Sequence, residues 1–102
     1  MKKIVAVIRS IDLERTEKAL RGIRVEGITV IKAKGYGEYK DFFTNDWIVS
    51  NIKLEIVVSD DQVDEIIETL RTTLYTGCPG DGVISVSPIE EFIKISTGER
   101  LR

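Results

Sequence analysis

The residues of this chain best suited to binding chemistry form a short glycine-rich segment from Thr76 to Ile84. Three glycines, a proline and an aspartate lie between residues 76 and 82. Glycine accepts positive φ and carries no Cβ, so backbone N–H groups in such a turn can wrap around an anion, while Asp81 fixes a hydroxyl or the turn itself. Gly-Asp-Gly is also ordinary turn chemistry. The segment alone therefore predicts either an anion cradle or a plain connection into a strand.

Length and charge limit the classes of function. The 102 residues predict a single domain, residues 1–102, that can fold without disulfides. The formal net charge of -2, from scattered charges, gives no basic face for nucleic acid and no polybasic patch for a membrane. The apolar run at residues 4–8 is too short for a signal peptide or a membrane span. We therefore expect a cytoplasmic protein with no nucleic-acid partner and no membrane insertion.

The hydrophobic pattern predicts the elements that would position the glycine-rich turn. A first helix is capped by Ser10 or Asp12, and a second helix follows a capping box at residues 59–62. The apolar runs predict strands at residues 3–9, 27–35, 51–58, 83–86 and 92–95. The two helices carry apolar stripes made of Leu13, Thr16, Leu20 and Ile23, and of Val63, Ile66, Ile67, Leu70 and Leu74.

The element order β-α-β-β-α-β predicts an α+β, ferredoxin-like fold with a short C-terminal strand. In this fold two helices cover one face of an antiparallel sheet. The first strand is apolar at five successive positions, Ile4 to Ile8, which indicates that both of its faces are dry. A chain of this size has nothing left to cover the second face. We therefore expect a homotrimer with the sheet faces turned inward.

Several ordered segments together resemble the PII signal-transduction family. They are Met1-Lys2-Lys3-Ile4, Glu26-Gly27-Ile28-Thr29-Val30 ending in Lys34-Gly35-Tyr36-Gly37, the strand Ile52 to Val58, the pattern Thr76-Gly77-x-x-Gly80-Asp81-Gly82-x-Ile84, and Ile95-x-Thr97-Gly98-Glu99. Gly-Asp-Gly by itself is a weak signal, but the ordered set with its spacing is specific and spans nearly the whole chain.

The resemblance implies a trimeric sensor that binds adenine nucleotides in clefts between subunits. It assigns these positions to the nucleotide: Thr29, Gly35, Gly37 and Val57 on the adenine side, Glu55 near the ribose, Gly80, Asp81 and Gly82 at the phosphates, and Lys94 as a cation. Backbone N–H groups suit phosphate because they are strong donors without side-chain entropy to lose. No obligatory metal is expected.

This chain departs from the family's pattern at the cations that hold phosphate. A lysine that normally follows Gly-Asp-Gly is Val83 here, one of two arginines in the last strand is Ser96, and a basic residue at the end of the loop is Asn51. Each charge-assisted contact contributes on the order of 1.5 to 3 kcal/mol, so triphosphate binding is weakened unless other cations replace them. AMP or ADP is therefore favoured over ATP. The family's glutamine for 2-oxoglutarate is also missing.

The resemblance gives the loop at residues 37–50 the role of contacting a transporter or a metabolic enzyme. This loop is shorter than in the family's nitrogen regulators, and it carries its own aromatic side chains: Tyr39, Phe42, Phe43 and Trp47. They could bind the partner, fold back over the ligand, or pack against the trimer. Tyr39 is not assigned as a modified tyrosine.

Two alternatives to a sensor remain open. One is a slow nucleotide-hydrolysing enzyme, although the sequence has no histidine and offers no nucleophile with a partner. The other is a structural or metal-tolerance trimer without nucleotide. The absence of histidine and the single Cys78 count against copper or zinc and exclude an internal disulfide. Cys78 itself is either a reactive thiol or a small filler.

Overall fold

A four-stranded antiparallel sheet of order β2-β3-β1-β4 carries the two helices on one face. A computed structural model describes residues 1–25, 27–35 and 49–101, without the side chains at 35, 49 and 50. The elements are β1 (Lys2–Ile8), α1 (Leu13–Gly22), β2 (Thr29–Gly35), β3 (Val49–Val58), α2 (Val63–Leu74), β4 (Val83–Pro88), β5 (Phe92–Ile93) and β6 (Arg100–Leu101). The predicted α+β class and element order are confirmed.

The core lies between the sheet and the helices. Alternate residues of β1, from Ile4 to Ile8, point toward the helices and are at most 1% exposed. They pair in register with β3, so that Ile4 lies opposite Ile56. The buried apolar residues from these strands and from the predicted helix stripes form one cluster: Ile4, Ala6, Ile8, Leu20, Ile52, Leu54, Ile56, Val58, Ile66, Leu70 and Leu74. The strand residues between these buried positions point to the second face of the sheet, which the helices leave uncovered.

The two helix starts differ from each other, and one prediction for them is wrong. Ser59 forms the predicted capping box with Gln62 ahead of α2. At α1, neither Ser10 nor Asp12 makes a side-chain cap hydrogen bond. Both residues belong to a single turn of 3-10 helix that leads into α1. The reason is that the Asp12 carboxylate accepts hydrogen bonds from two arginines, as described below.

The C-terminal segment is a small hairpin and not the single strand that the sequence predicts. β5 ends at Ile93 and pairs with β6, which the sequence analysis missed. Gly98 has a φ of 71°, and its N–H donates to the Lys94 carbonyl over 2.7 Å. The turn thus takes Lys94 and Ile95 out of the predicted strand. β4 instead continues to Pro88, which is tolerated because β4 is an edge strand.

Candidate functional site

The glycine-rich turn is organised by the carboxylate of Asp81. The backbone N–H groups of Thr76 and Gly77 donate to Asp81 Oδ2 over 2.7 and 3.1 Å, and the Thr76 hydroxyl donates to Oδ1. The N–H of Asp81 in turn donates to the Cys78 carbonyl over 3.1 Å. Of the two roles open to Asp81 from the sequence, the structure shows the one in which it fixes its own turn.

Asp81 is held in its ionised form. Burial raises the pKa of Asp81, but the hydrogen bonds from Thr76 and Gly77 and the positive charge of Arg9 outweigh it, so the pKa lies below its ordinary value. Arg9 Nη2 lies 3.7 Å from Asp81 Oδ1. The turn is therefore built around a permanent negative charge at neutral pH, with one guanidinium beside it.

Gly82 brings the turn against β1. Its φ of 115° belongs to the region that favours glycine, and a Cβ at this position would meet the carbonyl oxygen of Val7 well inside contact distance. Gly77 also has positive φ, at 87°, but a Cβ there would find its nearest neighbour, Tyr75 Oη, at 3.5 Å. Of these two glycines, Gly82 makes the close approach of backbone to backbone, whereas Gly77 is needed for its conformation.

A group of four charged side chains joins the turn to the start of α1. Arg9 Nε donates to Asp12 Oδ2 over 3.0 Å, and Arg15 Nη2 donates to Asp12 Oδ1 over 2.9 Å. Asp12 is only 5% exposed, and each of its two carboxylate oxygens accepts a hydrogen bond from an arginine. This cluster of four side chains was not predicted from the sequence; it consists of Arg9, Asp12, Arg15 and Asp81. The spacing of three residues between Arg9, Asp12 and Arg15 is the signal that could have indicated its first part.

Three of the residues predicted for the adenine side and the ribose, Thr29, Val57 and Glu55, lie on the uncovered face of the sheet. Thr29 of β2 pairs in register with Glu55 of β3, and Val57 follows on the same face. Glu55 Oε1 lies 3.3 Å from Lys53 Nζ and 3.5 Å from Lys3 Nζ. The hydrogen bond with Lys53, opposed by burial and assisted by Lys3, lowers the pKa of Glu55. The structure therefore brings Thr29, Glu55 and Val57 together around a charged centre.

Two further predicted residues, Gly35 and Lys94, lie elsewhere in the described part of the chain. Gly35 is the last residue of β2, where it pairs with Val49. Lys94 lies in the C-terminal hairpin, where its N–H donates to the Glu99 carbonyl over 3.0 Å. The other predicted residues are outside the part of the chain that the structure describes: Gly37, Tyr39, Phe42, Phe43 and Trp47.

Two parts of the predicted nucleotide site, the residues on β2 and the glycine-rich turn, lie at opposite edges of the sheet. β2 carries Thr29 and Gly35, while the turn at Gly80 to Gly82 leads into β4. β3 and β1 lie between them, which separates the two edge strands by three strand spacings, or about 14 Å.

The positions where the sequence departs from the family's cations differ in environment. Val83 is the first residue of β4 and is 37% exposed, so a side chain here reaches solvent beside the turn. Asn51 is buried, at 3% exposure. Ser96 is exposed in the turn of the C-terminal hairpin. Of these three positions, Val83 is the one that adjoins the glycine-rich turn.

A cleft of about 570 Å³ opens on the helix side of β4, next to the end of α2. Its apolar lining includes Ile8, Leu70, Leu74 and Ile84, and its rim includes Asp81 and Gly82 from the turn. Because Thr29, Glu55 and Val57 lie on the other face of the sheet, this cleft is distinct from the predicted adenine side.

Neither a metal-binding cluster nor a membrane-spanning helix is present among the described residues. Over residues 1–25, 27–35 and 49–101, no group of three or more cysteine, aspartate or glutamate side chains is arranged to hold a metal ion. Within those ranges, none of the helices is long and apolar enough to cross a membrane.

The family model and the similar proteins all point to the same family. The sequence matches the family described as Nitrogen regulatory protein P-II over residues 1–99. A Nitrogen regulatory protein P-II of Bradyrhizobium diazoefficiens is 42% identical over 106 residues, covering 97% of this chain and 95% of the relative. Another, from Azospirillum brasilense, is 37% identical over 107 residues, with 98% and 96% coverage. Nitrogen regulatory protein GlnK of Escherichia coli is 33% identical over 108 residues, with 97% and 95% coverage.

Proposed function

The chain belongs to the nitrogen regulatory protein P-II family of signal-transduction proteins, and from this premise we propose that it senses a small anionic ligand for a protein target. The ligand is an adenine nucleotide with few phosphates, AMP or ADP before ATP. It binds between subunits of a cytoplasmic homotrimer. The target is a transporter or a metabolic enzyme. The observation that carries the proposal is the match over residues 1–99, which includes every predicted nucleotide position.

The uncovered face of the sheet supports the trimer. Val5 and Val7 of β1 lie there, and they are only partly buried within one subunit. Ile31 of β2, on the same face, is 41% exposed. An apolar surface of this kind, interrupted by the Lys3–Glu55 pair, is stabilised when another copy of the chain covers it.

The separation of the two half-sites supports a ligand position between subunits. Within one subunit, Thr29 and Gly82 belong to opposite edges of the sheet. In a closed ring, one edge of each sheet faces the other edge of its neighbour. A nucleotide at that junction would meet the adenine half-site of one subunit and the phosphate half-site of the next.

The nature of the side chains at the turn supports a ligand with few phosphates. Val83 replaces the cation that would stand beside Gly82, and it offers no donor for a phosphate oxygen. The amides of Thr76 and Gly77 are engaged by Asp81, whose negative charge disfavours several phosphate charges beside the turn. Each further phosphate would therefore add charge with little compensation.

We assign the output to the predicted loop at residues 37–50, which carries Tyr39, Phe42, Phe43 and Trp47 and whose last two residues belong to β3 in the structure. Ligand binding changes the population of loop states only to the extent that the ligand binds those states with different affinity. Gly35 supports this assignment, because it ends β2 at the point where the loop begins and is also a predicted ligand residue.

Calorimetric titration of the purified protein tests the proposal. AMP, ADP, ATP and cyclic AMP are each titrated with and without Mg²⁺, 2-oxoglutarate or bicarbonate. The proposal expects submillimolar binding of AMP or ADP and weaker binding of ATP. If none of these nucleotides binds below millimolar concentration, the chain is not an adenine-nucleotide sensor. Steady release of phosphate during the titration would instead indicate the hydrolase.

A further inference from the structure

Arg9 places a guanidinium at the glycine-rich turn, around which residues 72–93 contain no lysine or arginine. It follows β1 directly, and Gly82 packs its backbone against Val7 of the same strand. Arg9 Nη2 consequently lies 3.7 Å from Asp81 Oδ1, although the two residues are distant in sequence. This proximity is produced by the pairing of β1 with β4.

Asp12 fixes the position of this guanidinium. The Arg9 Nε–Asp12 Oδ2 distance is 3.0 Å, and the Asp12 carboxylate is 7% exposed. Arg15 Nη2, from α1, lies 2.9 Å from the other oxygen of Asp12. The Arg9 side chain is itself only 21% exposed, so its charge is held in a partly dry environment where screening by salt is reduced.

The Nη side of Arg9 retains capacity to bind a ligand. A guanidinium carries several N–H donors in a fixed fork. Nε is used by Asp12, whereas the contact from Nη2 to Asp81 is longer than a hydrogen bond. An oxygen arriving closer to Nη2 would form a charge-assisted hydrogen bond without displacing one.

We propose that Arg9 is the cationic side chain that binds the ligand's phosphate at the glycine-rich turn, and that Asp12 is a positioning residue for it. This inference rests on the proposed function and adds a residue to the same site. Arg9 thereby supplies the positive charge that Val83 does not, from the other side of the turn. The group recognised is a phosphate monoester or diphosphate terminus, which the planar fork of Arg can bind through two N–H groups.

The test compares ADP with adenosine, because only ADP carries the charge that Arg9 would bind. Arg9→Gln removes the charge and leaves a shorter polar side chain. ADP should bind about tenfold or more weakly to this variant, whereas adenosine should bind as to the unchanged protein. Arg9→Lys restores the charge and should recover part of the ADP affinity. The matched control is Arg21→Gln on α1, whose side chain is 75% exposed and paired with Glu17.

A charge rescue separates ligand binding from a structural role. Val83→Lys in the Arg9→Gln background places a cation beside the turn at an exposed position. The rescue should restore ADP affinity toward that of the unchanged protein without altering adenosine binding. A merely structural contribution of Arg9 would not be recovered by a lysine on β4.

A measurement on the unchanged protein covers the case in which Arg9→Gln fails to fold. The side-chain N–H resonances of Arg9, assigned with Arg9→Lys, should shift when ADP is added and stay in place with adenosine. Absence of that shift overturns the inference, as does ADP affinity of Arg9→Gln within about twofold of the unchanged protein. Equal losses of ADP and adenosine binding would overturn it too. If the unchanged protein binds no nucleotide, the proposed function fails and this inference fails with it.

Discussion

At the scale of single residues, Asp81 occupies the position of an anion in its own turn. Its carboxylate accepts hydrogen bonds from two backbone N–H groups and lies beside Arg9. Backbone N–H groups and a nearby cation are also the partners of bound phosphate in other proteins. The turn is therefore ordered before a ligand binds. Ligand binding then does not have to offset the conformational-entropy cost of ordering the turn.

Asp81→Asn tests the charge of this internal anion. Because the pKa of Asp81 is lower in the folded protein than in the unfolded chain, the ionised form adds stability above about pH 4, and this is lost as the pH falls through the folded-state pKa. The variant should be less stable than the unchanged protein at pH 7, by on the order of 1 kcal/mol. Denaturant unfolding at pH 7 and at about pH 2 measures the difference. A gap that stays constant with pH would show that the charge is unimportant.

Gly82→Ala tests the contact between the turn and β1. The added Cβ would collide with the Val7 carbonyl, and φ at 115° is strained for alanine, so we expect a loss of about 2 kcal/mol or more. Gly22→Ala is the control, since a Cβ there meets nothing within 4 Å and alanine is favoured at a helical position. Thermal unfolding of both variants gives the comparison. Equal stability of the two would contradict the account of Gly82.

At the scale of elements, the two helices begin in different ways, and Ser59→Ala measures the difference. Ser59 takes part in a capping box with Gln62, so its loss should destabilise the protein by about 1 kcal/mol. Ser10→Ala is the matched control at α1, where Ser10 makes no cap hydrogen bond and is exposed. Its effect should be a few tenths of a kcal/mol at most. A larger effect at Ser10 than at Ser59, by urea unfolding, would reverse the assignment of the caps.

The elements that the sequence predicts correctly are those specified by local pattern. The stripe from Ile66 to Leu74 gives α2, and the Ser59 capping box gives its start, because both signals lie within a few residues. The cap of α1 was wrong because Asp12 has two possible sets of partners. In the structure the Asp12 carboxylate accepts hydrogen bonds from two arginines and not from the helix backbone. One of these arginines, Arg9, lies beside Asp81 only because β1 pairs with β4.

The same limit applies to the candidate site. Thr29, Glu55 and Val57 were assigned from the resemblance, and strand alternation places them on one face as the structure does. The contacts of Asp81 within its turn were open in the sequence, since Gly-Asp-Gly fits several turn conformations. The hairpin at β5 and β6 was missed because two-residue strands carry no periodicity.

At the scale of the whole molecule, the sheet presents a dry face to the helices and a mixed face to its surroundings. Val5→Lys tests whether the mixed face is the trimer interface. The lysine would lie opposite Glu55 in the register of β1 and β3, so a single subunit should accept it. Three such charges near one axis would repel, and the molar mass from light scattering should fall from three subunits to one. Ile11→Lys, at a side chain 82% exposed, should remain a trimer.

Either of two results would show that the mixed face is not the trimer interface. The unchanged protein could prove monomeric at micromolar concentration, or Val5→Lys could remain trimeric with unchanged stability.

The central claim, that an adenine nucleotide binds between two subunits, is tested most directly by mixing two defective subunits. Thr29→Trp fills the proposed adenine half-site, and Val83→Glu places a negative charge at the proposed phosphate half-site. Each variant alone should lose ADP binding. After unfolding and refolding together in equal amounts, about a quarter of the subunit junctions should combine two intact halves and bind ADP with the affinity of the unchanged protein. If the mixed trimers bind no more ADP than the separate variants, the site does not lie between subunits.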